Sequence, residues 1–300
     1  MQTQFNERHG GGTWRMAAAM GLSGTIGWFV LASGQTALNV VWMRCLVGGL
    51  ALLAWLGARG GWRPMGRAAT AWLLVGAAAL IVNWQLLFMS YRASGIAVAT
   101  VVYHLQPFFL LLLAALVQRE RPDWHKFPWL LVALLGVALT SGLRGELAGQ
   151  DAMLSGVLLA LAAAFFYAVA TLATRKISGI ASAQIAGVQL LIGACVLIPW
   201  VDIALPSLSP LAWTSLLTLG LVHTGLQYNL LYAAFQRLTA ERIAVLSFIY
   251  PLVAIVVDLV CFDLALDVVQ VAGMVLILVA IVAHQRNWRL VPMPARRLAP

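Results

Sequence analysis

The sequence predicts an all-α polytopic membrane protein whose ten transmembrane helices form two inverted five-helix repeats. Three observations predict it: a composition unable to cover a water-soluble surface, ten apolar runs near membrane length joined by short connections, and a register of 144 residues that lays one half on the other.

The composition fixes the solvent. Of 300 residues, 62% are hydrophobic and only 10% are charged, with mean hydropathy +0.90. A soluble globule of this size needs more polar surface than that. In lipid a chain must satisfy its backbone hydrogen bonds internally, and runs of this length favour helices over alternating barrel strands. Cys45, Cys195 and Cys261 all lie in apolar runs without CxxC spacing, so they read as buried filler. No cofactor or metal is expected.

The spans follow in order. The first, 16–33, follows Arg8 and Arg15 and ends at Ala32-Ser33-Gly34. That is the outline of a secretory signal, but its length and the nine spans behind it make it a helix of the bundle. The second, 37–56, carries Arg44; the third, 69–90, carries most of the stretch NWQLLFMSY. The fourth, 95–117, contains Pro107, and the fifth is 127–143. The sixth, 153–173, is rich in aromatics, and the seventh, 183–200, carries Gln189. The eighth, 211–234, holds His223 and Gln227, the ninth, 243–262, holds Pro251 and Asp258, and the tenth is 268–284. The connections leave no room for a soluble domain. The expected division is an N-terminal repeat over 1–147 and a C-terminal inverted repeat over 148–300.

Basic residues set the orientation. With a cytoplasmic N terminus, 16 of the 19 Lys and Arg fall on the inner face, against Arg92 and Arg144 outside and Arg44 within a span. Both termini are therefore expected in the cytoplasm of a bacterial cell, with the chain in the inner membrane. The net charge of +9 is explained by topology, and its scatter over loops of one face is unlike a nucleic-acid patch.

The register is carried by Asn83–Tyr91 and Gln227–Phe235, NWQLLFMSY and QYNLLYAAF. A shift of 144 also lays Pro107 on Pro251, and a shift of 145 lays Arg44 on Gln189 and Gly48 on Gly193. A duplicated bundle repeats its packing too, so repetition by itself is compatible with a structural role. Five spans is an odd number, however, so the second half must lie upside down. That is the plan of secondary transporters, whose substrate sites lie near mid-membrane between the halves.

Over residues 16–284 the chain resembles the drug/metabolite transporter superfamily in its ten-helix EamA form. The resemblance rests on the five-plus-five layout, Trp42-Met43-Arg44, the prolines in HLQPFFLLLLAAL and FIYPLVAIVVDLV, the Arg119-Glu120-Arg121 turn, and the sixth-helix sequence AAAFFYAVATLATRK. The 12 tryptophans and compact length are most similar to the aromatic amino acid exporter (YddG-type) branch. It implies a central pathway between the halves, with the fifth and tenth helices peripheral. One departure is Leu264, which stands where the first half has Glu120.

Candidate site residues can be weighed from the sequence. Asn83 and Gln85 are about 200° apart around a helix, so only one of them can face a cavity. His223 stands four residues before Gln227 and shares its face, which selects Asn83 and Gln227 for substrate and leaves Gln85 and Asn229 as interhelical hydrogen-bond glue. Pro107 and Pro251 each remove a backbone donor and free a carbonyl one turn earlier, at Tyr103 and Ser247. His104 and Tyr250 join these as substrate-contacting groups at the kinks, and Trp28 and Tyr167 complete an amphipathic pocket. Packing kinks and core aromatics are the plain alternative for these positions. Arg44 and Asp258 lie at compatible depths for an ion pair, with snorkelling of Arg44 as the alternative.

No HExxH, GxSxG, Walker loop or paired intramembrane carboxylate is present, so an enzyme is not expected. The expected function is a secondary transporter that exports amino acids, aromatic and other small neutral ones, by facilitated diffusion. The alternative is a broader drug or toxic-metabolite exporter, with proton coupling. The expected partners are a small-molecule substrate and the lipid bilayer, with the chain a monomer or weak homodimer.

Overall fold

The computed structural model describes residues 2–94, 99, 102–119, 127–140, 150–202, 207–262 and 268–288. The described residues are helical apart from turns and short connections. In chain order the helices are α1 (Gln2–Ala32), α2 (Ala37–Ala58), α3 (Arg67–Ser94), α4 (Gln106–Val117), α5 (Phe127–Thr140) and α6 (Gln150–Lys176). The second half has α7 (Ser182–Leu197), α8 (Pro210–Gly220), a π turn (Leu221–Leu226), α9 (Gln227–Phe235), α10 (Ala240–Leu246), α11 (Ile249–Phe262) and α12 (Val268–Gln285). Thr36, Ser209 and Thr239 start α2, α8 and α10 by accepting from the amides of Asn39, Ala212 and Arg242, which satisfies orphan donors at those ends. By length and composition, four stretches are long and apolar enough to cross a membrane: Ala37–Ala58, Arg67–Leu87, Leu154–Lys176 and Ser182–Trp200.

Three spans differ from the even runs read in the sequence. The first helix begins at Gln2, well before the apolar run. The fourth and ninth spans break: the chain turns at His104–Leu105 before α4 and at Ser247–Phe248 between α10 and α11. Both breaks lie ahead of the proline rather than at it, because proline fits the first turn of the helix that restarts there.

Packing keeps its form when the halves are exchanged. α3 lies along α6 as α8 and α9 lie along α1, and α6 packs on α4 as α1 packs on α11. α2 meets α8 and the π turn, while α7 meets α3. α2 and α7 pack on each other, as do α5 and α12. A pair of amides clamps α2 to α7. Asn39, at the start of α2, donates to the Asp202 carbonyl at 2.8 Å and accepts from the Asp202 amide at 3.2 Å, beyond the end of α7. Gln184, at the start of α7, donates to the Arg63 carbonyl at 2.8 Å and accepts from the Arg63 amide at 3.1 Å, beyond the end of α2. The start of each helix thus meets the end of the other, so α2 and α7 run antiparallel.

Glycines permit the crossings between halves. A methyl on Gly48 would lie 2.7 Å from the Thr224 side chain and 2.9 Å from the Gly220 carbonyl, and one on Gly220 would lie 2.5 Å from Val47. Gly76, at the position of Gly220 in the 144 register, leaves room for the Gln189 amide. Without a hydrophobic drive between helices in lipid, such small-residue contacts are where backbones approach closely.

The Glu120-Arg121 part of the turn after α4, Leu264, the 147/148 boundary, and the side chains of Phe88, Tyr91, Arg92 and Asp258 lie outside the described residues.

Candidate functional site

At the centre of the bundle, equivalent residues of the two halves touch. Trp84 and Tyr228, superimposed by the 144 shift, meet edge to face with centroids 5.8 Å apart and planes at 80°. Both are buried. Contact between a residue and its own counterpart occurs only beside a pseudo-twofold axis, so this pair marks where the halves join. His104 and Phe248 are a second such pair, with centroids 6.0 Å apart, and His104 also stacks on Tyr250 at 5.6 Å and 7°.

The eighth span carries the polar cluster beside the first pair. In an α-helix the His223 carbonyl would be taken by the amide of Gln227. Here that amide turns to the Val222 and Thr224 carbonyls, because the π turn widens the helix over residues 221–226. The widened turn is closed by side chains: Thr224 Oγ1 donates to the Leu219 carbonyl at 2.8 Å, and His223 Nδ1 lies 3.3 Å from the Thr218 carbonyl. The freed His223 carbonyl accepts from Arg44 Nη2 at 3.2 Å, and Arg44 Nε donates to Thr224 Oγ1 at 3.0 Å. The guanidinium lies 5.0 Å from the Trp84 ring centroid, a cation–π distance.

Arg44 is therefore held in neutral surroundings. Among the described residues the partners of Arg44 are Thr224, the His223 carbonyl and the Trp84 face; the side chain of Asp258, its expected ion-pair partner, lies outside them. Arg44 does not snorkel, being only 5% exposed. A charge at mid-bilayer costs about 2.5–3.5 kcal/mol on insertion scales, and these contacts offset it without a counterion among the described residues.

His223 and Gln227 both face α1, as their spacing predicted, although the π turn carries them there. His223 Nε2 lies 2.7 Å from Thr25 Oγ1, and its ring packs on Phe29 at 4.9 Å. The Thr218 carbonyl can only accept, so Nδ1 donates to it, while Thr25 Oγ1 lies within reach of both His223 Nε2 and the Leu22 carbonyl, at 2.9 Å from the latter, and has one proton to give. Gln227 Nε2 donates to Ser23 Oγ at 2.6 Å, and Ser23 in turn donates to the Ala19 carbonyl at 3.0 Å. That relay fixes the amide orientation and leaves Gln227 Oε1 enclosed with no hydrogen-bond partner.

Asn83 takes the equivalent place in the other half. Fully buried, it donates to the Ala163 carbonyl of α6 at 2.7 Å and to Tyr103 Oη at 3.1 Å, so it makes the interhelical bond expected of Gln85. The reason is the packing of α3 along α6, which a helical wheel cannot show. Gln85 is half-buried with no hydrogen bond among the described residues, while Asn229 accepts from Ser182 Oγ at 2.6 Å and keeps its expected role as glue.

The remaining positions spread along the join. Tyr103 meets Tyr167 edge to face at 5.9 Å, and both are half-buried. Trp28, also half-buried, lies against Phe29 at 4.8 Å beside His223. The Ser247 carbonyl, expected to be free, accepts from the Tyr250 amide at 3.4 Å, and the Ser247 hydroxyl donates to the Ile243 carbonyl at 2.8 Å. The tightening turn ahead of Pro251 closes that acceptor. Gln106, at the start of α4, has a buried Nε2 without a partner. Thr25, Ser23, Phe29 and Thr224 were missed by the sequence reading; for the first, second and fourth a mid-span hydroxyl was the only signal, and Phe29 gave none.

Comparison with known proteins agrees with this arrangement. The model of the EamA-like transporter family matches twice, over residues 11–142 and 154–283. The chain is 31% identical over 267 residues to a Bacillus subtilis (strain 168) protein described as the uncharacterized transporter YxxF, covering 88% of this chain and 86% of that one. It is 30% identical over 205 residues to a Salmonella typhimurium (strain LT2) protein described as a probable amino-acid metabolite efflux pump, covering 64% of this chain and 68% of the other. One solved crystal structure shares the fold at a TM-score of 0.79 and 20% identity, covering 92% of this chain and 96% of that one.

Proposed function

Because the chain belongs to the EamA-like transporter family, we propose that it exports amino acids, aromatic and other small neutral ones, across the bacterial inner membrane. The path runs between two inverted five-helix repeats, with both termini in the cytoplasm. The observation that carries this reading is the join itself, along which His223 and Gln227 stand beside Phe29, Tyr103 beside half-buried Tyr167, and His104 beside half-buried Tyr250. Polar groups set among aromatics suit a ligand with a charged head and an apolar side chain. A transporter that alternates its access needs such groups beside an axis relating its halves, and the antiparallel α2 and α7 support the inverted arrangement. The Salmonella relative's description as an amino-acid metabolite efflux pump supports the substrate class.

Movement is by facilitated diffusion down the substrate's own gradient. Neither His104 nor His223 has a histidine counterpart, the 144 shift laying them on Phe248 and Ala79, so the two halves share no titrating pair. The test is uptake into proteoliposomes of a panel of labelled amino acids, with cationic drugs as competitors. Uptake of phenylalanine, tryptophan and small neutral amino acids is the expected result. Transport confined to the drugs would replace this reading with the drug-exporter one.

A further inference from the structure

Two unmet electrostatic demands meet at one turn of the eighth span, one from Arg44 of α2 and one from Gln227 of the span itself. Arg44 is a buried cation whose Nη1 donates to no described group and against which no described carboxylate lies. Gln227 Oε1 is a buried acceptor with no donor, in an amide whose orientation Ser23 fixes. Thr224, which anchors Arg44, and Gln227 are three residues apart, roughly 4.5 Å along a helix axis. An anion at Arg44 and a cationic donor at Gln227 would satisfy both at once and leave the site without net charge beyond that of Arg44 itself.

We propose that Arg44 and Gln227 form a recognition site for the head group of an α-amino acid, Arg44 taking the carboxylate and Gln227 Oε1 the ammonium. This deepens the amino acid reading above and rests on it. The zwitterion places its opposite charges on neighbouring atoms, as the one-turn spacing requires, and the Trp84 and Tyr228 rings beside Arg44 offer an apolar wall for the side chain. An arginine satisfies a planar carboxylate through its remaining N–H groups without leaving Thr224. The site is closed in this conformation. The bonds His223–Thr25 and Gln227–Ser23, which tie the turn to α1, are those that must open for loading.

The experiment uses the full chain and four probes: L-phenylalanine, L-phenylalaninamide and phenethylamine, which lack the carboxylate, and 3-phenylpropionate, which lacks the ammonium. Binding of each is measured on purified protein, alongside phenylalanine counterflow in proteoliposomes. The wild type is expected to bind phenylalanine roughly tenfold to a hundredfold more tightly than the other three, as loss of a charged hydrogen bond implies. Arg44→Gln should abolish the preference for phenylalanine over its amide, while Arg44→Lys restores part of it. Gln227→Met should abolish the preference over 3-phenylpropionate and leave the preference over the amide. A purely structural role would weaken all four probes alike and overturns the proposal. Equal wild-type affinity for phenylalanine and its amide overturns it as well, a result that needs no variant to fold. If phenylalanine is carried but the wild type shows no head-group preference, the inference fails and the amino acid reading stands. If no amino acid is carried or bound, both fail.

Discussion

His104 faces Phe248, the residue that holds its own position in the other half, with ring centroids 6.0 Å apart. The axis between the repeats thus passes between an imidazole and a phenyl ring, and only one side can titrate. His104→Phe would make the two sides alike. We expect the variant to fold, to retain phenylalanine counterflow, and to show the same accumulation with and without an imposed pH step. Accumulation above equilibrium in the wild type only when the step is present, and lost in His104→Phe, would show proton coupling through His104.

The clamp of Asn39 and Gln184 should be worth measurable stability in both places. Replacing either with Ala removes two hydrogen bonds and leaves a peptide N–H and C=O to find other partners, a cost of about 1–3 kcal/mol. Thermal unfolding of the purified protein in detergent should show Asn39→Ala and Gln184→Ala lowered by similar amounts. A large loss in one and none in the other would mean that the two ends of the α2–α7 pair are not equivalent.

Topology is open to a direct check at described loop positions. In a background without native cysteines, Asp202→Cys and Ser207→Cys should react with an impermeant maleimide added to whole cells. Gly66→Cys and Ser178→Cys should react only after permeabilisation. Labelling of Ser178→Cys from outside contradicts the inverted arrangement.

Glycine substitutions separate crossings from ordinary helix surface. Gly48→Ala places a methyl 2.7 Å from Thr224, whereas Gly21 and Gly27 of α1 have nothing within 4 Å. Overpacking of this kind costs about 1–3 kcal/mol. Gly48→Ala should therefore lower the melting temperature and the yield, and Gly21→Ala and Gly27→Ala should not. Arg44 is anchored at the same crossing, so any folded Gly48→Ala protein should also transport poorly.

Much of this architecture was legible in the residues because it is written by composition and period. The helical spans come from hydropathy, and the 144 register pairs Trp84 with Tyr228, which meet in the structure. What escaped was decided by neighbours distant in sequence. The angle of Asn83 around α3 is readable, but the Ala163 carbonyl it meets belongs to α6. For Arg44 the sequence suggests a carboxylate, because membrane charges usually have one, but not the His223 carbonyl that a π turn releases to it. No residue type announces a π turn. LVHTGL reads as ordinary helix, and its Thr and His only show their use once their side chains are seen closing the widened rung.

That turn has a consequence for which way the empty protein faces. When an inverted repeat rocks, its halves trade conformations, so identical halves would make the inward-open and outward-open forms equal in energy. Here the eighth span carries the π turn while its counterpart, α3, is continuous from Arg67 to Ser94, and Arg44 has only Gln189 as its opposite number. The two forms cannot then be isoenergetic, and a difference of about 1.4 kcal/mol already sets a tenfold excess of one over the other. On the proposed inverted arrangement, the resting orientation is in this sense a property of one wide helical rung, the same rung that anchors Arg44.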